Sequence, residues 1–91
     1  MLTAFSSKRY KKDLERMASR GKELRKIIEV VDALCREENL DPKYRDHALH
    51  GDWIGHRECH IEPDWLLVYR IDGLNLILEL CRTGTHADLE F

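Results

Sequence analysis

The chain has 91 residues, of which 43% are hydrophobic and 35% are charged, so it can bury one modest core and we predict a single domain over residues 1–91. It contains no apolar run of about eighteen residues, and its N-terminus leads directly into charged residues. We therefore expect neither a membrane span nor a signal peptide, and we place the protein in the cytoplasm. Cys35, Cys59 and Cys81 are odd in number and widely spaced, which favours free thiols over a disulfide framework.

The formal net charge of −2 conceals a strong asymmetry along the chain. Residues 1–26 contain nine Lys or Arg and three Asp or Glu, a net charge of +6, so the rest of the chain carries −8. A basic segment can bind phosphates or an acidic partner, although a solvated helix face is the commoner explanation. Lys11 and Lys12 lie in this segment and are candidate RNA contacts. A pI near 6.2 argues against indiscriminate coating of nucleic acid.

The N-terminal half is predicted to form a short strand at residues 2–5 and then two helices. Ser6 or Ser7 can cap the first helix, which carries Tyr10, Leu14 and Met17 on one face and ends at residues 19–21. The second helix has apolar residues at steps of three and four, namely Leu24, Ile27, Ile28, Val31, Leu34 and Cys35. Residues 39–53 show little apolar periodicity, which is typical of a polar loop.

The C-terminal half is predicted to form three strands at roughly 55–61, 65–71 and 74–82. Asp72-Gly73 between the last two strands is typical of a two-residue hairpin turn. That turn would place Tyr69 opposite Leu76, Trp65 opposite Leu80, and position 64 opposite 81. We therefore expect an α+β fold, in which an N-terminal strand and a two-helix hairpin pack on a small, mainly antiparallel sheet.

The same register brings two polar segments to one end of the sheet, and with them His60, Asp64, Arg82 and His86. Two histidines can act as general base and general acid, with a carboxylate to orient one of them. The guanidinium of Arg82 can hold a phosphate. RNA is a suitable substrate for these side chains, because its own 2′-hydroxyl is the nucleophile and cleavage through a 2′,3′-cyclic phosphate needs no metal. The pattern leaves open which histidine is the base.

Other interpretations of the same residues remain open. Taken singly, each is more often an ordinary surface or turn residue. His47 and His50, in the polar loop with Arg45, can bind phosphate or assist proton transfer, or simply face solvent. A zinc site is not supported, because there is no C-x-x-C pair and Cys59 and His60 point to opposite faces of a strand. We expect no metal and no cofactor.

Three segments of the sequence resemble the YafQ-type toxins of the RelE superfamily. They are Asp46-His47, His60-x-Glu62-Pro63-Asp64-Trp65 and Arg82-Thr83-Gly84-Thr85-His86, and the helical N-terminal half agrees in layout. The resemblance spans nearly the whole chain and implies a RelE-like fold. It also implies a toxin that enters the ribosomal A site, cuts the mRNA there without a metal, and is silenced by a cognate antitoxin.

The resemblance also implies roles for individual residues. His60, Asp64 and His86 would be catalytic, His47 and Glu58 would assist, and Arg82 would hold phosphate. Independently of the resemblance, Arg45 in the polar loop is a further candidate phosphate contact. The sequence departs from the family where Glu58 replaces the usual aspartate, His56 replaces a tyrosine, and Glu90 stands at the position of a C-terminal phenylalanine, with Phe91 one place later.

Two other functions compete with this one. A non-catalytic member of the superfamily would inhibit a protein target such as DNA gyrase, but such a protein has no need for His60, Asp64 and His86 together. A plain nucleic-acid-binding module would bind naked RNA in a salt-dependent manner and leave it intact.

Overall fold

The computed structural model describes residues 1–89 as a five-stranded sheet with two longer helices on one face. The elements are β1 (Thr3–Ser6), α1 (Lys8–Ser19), α2 (Arg25–Cys35), β2 (His47–Ala48), β3 (Arg57–Glu62), β4 (Trp65–Asp72), β5 (Ile77–Gly84) and α3 (His86–Leu89). The strand order is β1-β5-β4-β3-β2; β1 runs parallel to β5 and the other pairs are antiparallel. The predicted α+β class is confirmed. No helix within residues 1–89 is long and apolar enough to cross a membrane.

The two long helices form where the sequence pattern predicts them. The Ser7 hydroxyl accepts a hydrogen bond from the backbone N–H of Tyr10 at 3.0 Å, which caps α1. In α2 the buried residues are Ile27, Val30 and Leu34. Ile28, which the pattern assigned to the apolar face, is 54% exposed, because the buried stripe runs through Val30 instead.

The sheet is buried on both of its faces. The face toward the helices carries Trp65 and Leu67, both fully buried in the main core. The opposite face carries Leu66 and Val68, which are also fully buried and pack with Leu89 of α3 in a second cluster. The mixture of Leu66, Val68 and Arg70 on this face predicts half exposure, which is wrong at Leu66 and Val68, because Leu89 of α3 packs against them together with Leu49 and Trp53.

The predicted two-residue turn at Asp72-Gly73 is wrong. β4 continues to Asp72, and four residues, 73–76, connect it to β5. The carboxylate of Asp72 accepts hydrogen bonds from the backbone N–H groups of Leu74 and Asn75 and from the Asn75 side chain. These bonds stabilise a longer loop, in which Leu76 has a positive φ of 55°.

The longer loop changes the pairing of β4 with β5. Tyr69 lies opposite Leu80 instead of Leu76. A bulge follows, because Val68 pairs with Arg82 and leaves Cys81 as an extra residue. Beyond the bulge Leu66 pairs with Gly84. The predicted pairing of position 64 with 81 is therefore wrong, and Asp64 instead lies next to the start of α3.

Two adjacent isoleucines of α2 test this packing with the same chemical change. We expect Ile27→Ala to lower the free energy of unfolding by about 2–5 kcal/mol, because Ile27 is 1% exposed in the main core. Ile28→Ala is the matched control and should change it by less than about 0.5 kcal/mol. Urea denaturation followed by circular dichroism measures both. Equal losses in the two variants would contradict the orientation of α2.

Candidate active site

Three histidines lie in a row at one end of the sheet, on the face opposite α1 and α2. His47 pairs with Glu58 across β2 and β3, and His60 pairs with Leu66 across β3 and β4. His86 is the first residue of α3. The ring centroids of His47 and His60 are 6.1 Å apart, and those of His60 and His86 are 5.7 Å apart. The predicted convergence of His60, Asp64 and His86 is present in the structure.

Asp64 orients His86 with two hydrogen bonds. Its Oδ1 atom accepts from the backbone N–H of His86 at 2.9 Å and lies 2.6 Å from the ring Nδ1. These bonds hold the pKa of Asp64 below its usual value, so Asp64 is a carboxylate at neutral pH and Nδ1 is the donor. The Nε2 atom of His86 is then the one that can exchange a proton with a substrate. Both side chains are more than half exposed.

His60 and Glu58 are buried, with 8% and 6% exposed. The Nε2 atom of His60 is 4.0 Å from Oε1 of Glu58, and its Nδ1 atom has no hydrogen-bond partner within residues 1–89. Burial lowers the pKa of His60, the charges of Arg45, His86 and His47 lower it further, and Glu58 opposes them. A histidine with a lowered pKa is neutral at physiological pH and is ready to accept a proton.

His47 is held at the other side of Glu58. Its Nδ1 atom donates to the backbone oxygen of Arg45 at 2.7 Å, and its Nε2 atom is 3.5 Å from Oε1 of Glu58. Asp46 anchors this loop, since it accepts a 2.6 Å hydrogen bond from the hydroxyl of Tyr69 in β4. Glu58 therefore lies between two histidines, and its assisting role stays a prediction.

α3 is fixed by contacts that the sequence analysis missed. Thr85 and Asp88 form a capping box, in which Oδ2 of Asp88 accepts from the Thr85 N–H at 2.9 Å and the Thr85 hydroxyl accepts from the Asp88 N–H at 3.1 Å. The two terminal guanidinium nitrogens of Arg20 donate to Asp88, at 2.6 and 3.1 Å, and hold the pKa of Asp88 well below its usual value. The spacing Thr85-x-x-Asp88 is the sequence signal that identifies this cap.

Arg82, for which we predicted phosphate binding, forms an ion pair with α1 in the structure. Its guanidinium donates to Asp13 of α1 at 2.7 and 3.3 Å, and its side chain is 12% exposed. Asp13 was also missed, although it interrupts the apolar stripe between Tyr10 and Met17, which is a recognisable signal for a buried carboxylate. A phosphate would have to compete with Asp13 for Arg82, and phosphate binding there stays a prediction.

The other predicted phosphate contacts are available to solvent. The side chain of Arg45 is exposed at the edge of the histidine cluster. Lys11 and Lys12 are exposed on α1, in the layer of helices on the other side of the sheet. They are therefore separated from the histidines, and any RNA contact they make is distinct from the chemistry.

The cysteines are not placed as metal ligands. Cys59 pairs with Leu67 in the main core, and burial raises the pKa of its thiol to about 12. Burial also raises the pKa of Cys81. Within residues 1–89 there is no group of three or more His, Cys, Asp or Glu side chains placed to hold a metal ion.

Comparison with known proteins gives one consistent result. The family model described as "Bacterial toxin of type II toxin-antitoxin system, YafQ" matches residues 2–90. The mRNA interferase toxin YafQ of Escherichia coli K12 is 39% identical over 84 residues, covering 91% of this chain and 89% of that protein. A metal-bound toxin from Helicobacter pylori is 44% identical with a TM-score of 0.93, covering 98% and 99% of the two chains. YafQ in the E. coli DinJ–YafQ complex is 33% identical with a TM-score of 0.89, covering 98% of each.

A methyl group at Gly84 should disturb the site through α3. A Cβ atom there would lie 2.9 Å from Cβ and 3.0 Å from Oδ2 of Asp88, so we expect Gly84→Ala to displace α3 and weaken the Asp64–His86 hydrogen bond. Its cost in stability should be about 1–3 kcal/mol. NMR of the His86 ring nitrogens measures the displacement. Gly73→Ala is the control, since nothing lies within 4 Å of its Cβ; unchanged His86 resonances in Gly84→Ala would contradict the expected clash.

Proposed function

This chain belongs to the YafQ family of toxins of bacterial type II toxin–antitoxin systems, and we propose that it is an endoribonuclease that cuts mRNA in the ribosomal A site. The observation that carries this proposal is the hydrogen-bonded pair Asp64–His86, whose imidazole lies 5.7 Å from that of the buried His60. Two imidazoles at this separation can exchange protons with the attacking 2′-oxygen and the leaving 5′-oxygen of one phosphodiester. The E. coli relatives are named mRNA interferases, which supports the same activity.

The proposed reaction is a transesterification followed by release of the product. His60 accepts the proton of the 2′-hydroxyl, and the 2′-oxygen forms a bond to phosphorus while the bond from phosphorus to the 5′-oxygen breaks. His86, held by Asp64, gives a proton to the leaving 5′-oxygen. The products are a 2′,3′-cyclic phosphate and a 5′-hydroxyl. We assign the base to His60 because its pKa is lowered.

The negative charge on the phosphate needs a cation near the two histidines. Arg45 is exposed and close enough to His60 to lower its pKa, whereas Arg82 is paired with Asp13. We therefore assign the principal phosphate contact to Arg45. Lys11 and Lys12 are assigned to ribosomal RNA, because they lie on the other side of the sheet from the proposed chemistry.

We also propose that a cognate antitoxin protein neutralises this toxin. The E. coli relative crystallises in a complex with DinJ, described as a toxin–antitoxin complex. Free toxin would then act on translating ribosomes. The proposed reaction uses no metal ion.

Substitution of His86, the proposed general acid, or of Asp64, which orients it, should strongly slow cleavage. We expect His86→Ala and Asp64→Asn to lower the cleavage rate by roughly 10²–10⁴-fold, and His50→Gln, a change at an exposed histidine outside the cluster, to have no effect. Mapping of 5′ ends on ribosome-bound message measures cleavage. Growth arrest with intact mRNA would instead indicate inhibition of a protein target such as DNA gyrase, and full toxicity of His86→Ala would contradict the catalytic assignment.

The pH dependence of the cleavage rate should follow the protonation of His60. Because the pKa of His60 is lowered, the acidic limb of kcat/KM should lie below the ordinary histidine value of about 6.5. The Glu58 carboxylate stabilises the charged imidazole, so Glu58→Gln should lower this pKa further and move the acidic limb to lower pH. Glu15→Gln, at an exposed glutamate of α1, is the control and should leave the limb in place. A shift to higher pH in Glu58→Gln would overturn the assignment of the base.

A further inference from the structure

A cavity of about 510 Å³ adjoins the histidine cluster at the margin of the sheet. It lies between α2, the single helical turn Pro42–Tyr44 and the end of β3, and His60 forms part of its wall. Its volume falls within the range of small-ligand sites, roughly 300–1,000 Å³. Because His60 belongs both to the cluster and to this wall, a molecule that fills the cavity contacts the proposed base.

The two carboxylates that line the cavity already have partners. Glu62 lies 2.7 Å from the ammonium of Lys22 and 2.9 Å from that of Lys26, and these bonds lower its pKa. Glu29 is 3.9 Å from the guanidinium of Arg25. Glu62 is therefore not free to neutralise the remaining cations of the wall, and Glu29 forms no ion pair with either of them within residues 1–89.

Those remaining cations are Lys43 and Arg45. Both are exposed, and neither has a carboxylate partner within residues 1–89. Two cations without a carboxylate partner beside a buried histidine form a local site for phosphate groups.

The wall between these two cations is aromatic and apolar. Tyr44 lines the cavity together with Ile61 and Pro63, and the ammonium of Lys43 lies 5.1 Å from the centroid of the Tyr44 ring. An aromatic ring beside cations is the combination by which proteins bind single nucleotides of an unpaired strand, since the base contacts the ring and the phosphates contact the cations.

We infer that this cavity binds the nucleotide immediately 5′ of the bond that is cut. The inference rests on the proposed function, because the attacking 2′-hydroxyl belongs to that nucleotide and must reach His60, which lines the cavity. Arg45 then contacts the phosphate that is cut, Lys43 contacts the phosphate on the 5′ side of the same nucleotide, and the base lies against Tyr44.

Adenosine 3′,5′-bisphosphate is a probe for this site, because it carries both phosphates of one nucleotide and has no bond for the enzyme to cut. Its affinity for the full chain can be measured by NMR titration. Lys43→Ala should raise the Kd about fivefold, and Tyr44→Leu, which keeps an apolar side chain against the core, should raise it about tenfold. Arg36→Ala, at an exposed arginine that follows α2 and does not line the cavity, is the control and should leave the Kd unchanged.

Adenosine 3′-phosphate separates the two phosphate contacts. It lacks the 5′-phosphate, so Lys43→Ala should not alter its Kd, whereas Tyr44→Leu should still weaken it. Equal binding of the bisphosphate by wild type, Lys43→Ala and Tyr44→Leu would overturn the inference. Weakened binding of the antitoxin with unchanged nucleotide binding would also overturn it and identify the cavity as a protein-binding site.

The same variants distinguish failure of this inference from failure of the proposed function. If wild type cuts ribosome-bound mRNA, and Lys43→Ala and Tyr44→Leu cut it with unchanged kcat/KM and bind the bisphosphate normally, only the inference fails. If wild type leaves mRNA intact but binds the bisphosphate through Lys43 and Tyr44, the nucleotide site stands and the proposed function fails.

Discussion

The pairing of β4 with β5 is the constraint on which the rest of the site depends. It sets Leu66 opposite Gly84 and so brings the turn that carries Asp64 to the first residue of α3. Within residues 1–89, α3 comprises four residues, and a helix of that length is not stable by itself. Its position is determined by the capping box of Thr85 and Asp88, by Arg20, and by the burial of Leu89. The orientation of His86 is therefore a consequence of how the sheet and α1 pack.

The sequence predicted those features that repeat along the chain. Apolar periodicity located both long helices and the three C-terminal strands, and the polar segments at the strand ends located His60, Asp64 and His86. Periodicity reports the face on which a residue lies, not its partner. The partner of Tyr69 shifted by four positions, from Leu76 to Leu80, and an even shift leaves Tyr69 on the predicted face. Trp65, Leu67 and Tyr69 are buried as their alternation along β4 predicts, whereas Ile71, the next residue on that face, is 46% exposed.

The remaining errors arise where two local signals compete or where the partner is distant in sequence. Asp72-Gly73 is a turn signal, but the Asp72 side chain also binds the next two amides after Gly73 and favours a longer loop. The ion pair of Arg82 with Asp13 joins residues 69 positions apart, and no periodic pattern records such a pair. Arg82 had a plausible role near phosphate, and only the packing of α1 against β5 shows that its guanidinium has another partner.

The two faces of the sheet give a physical argument for the ribosome-bound substrate that we propose. The basic residues of α1 lie on one face, whereas the proposed chemistry lies on the other, with the buried Glu58 and His60. Long-range attraction toward RNA and contact with the scissile phosphate are therefore separated by the thickness of the sheet. A short free RNA engages one of them at a time, and only a few cations near His60 hold it there. A message embedded in ribosomal RNA can engage both, which is the physical reason to expect cleavage on the ribosome rather than on free RNA.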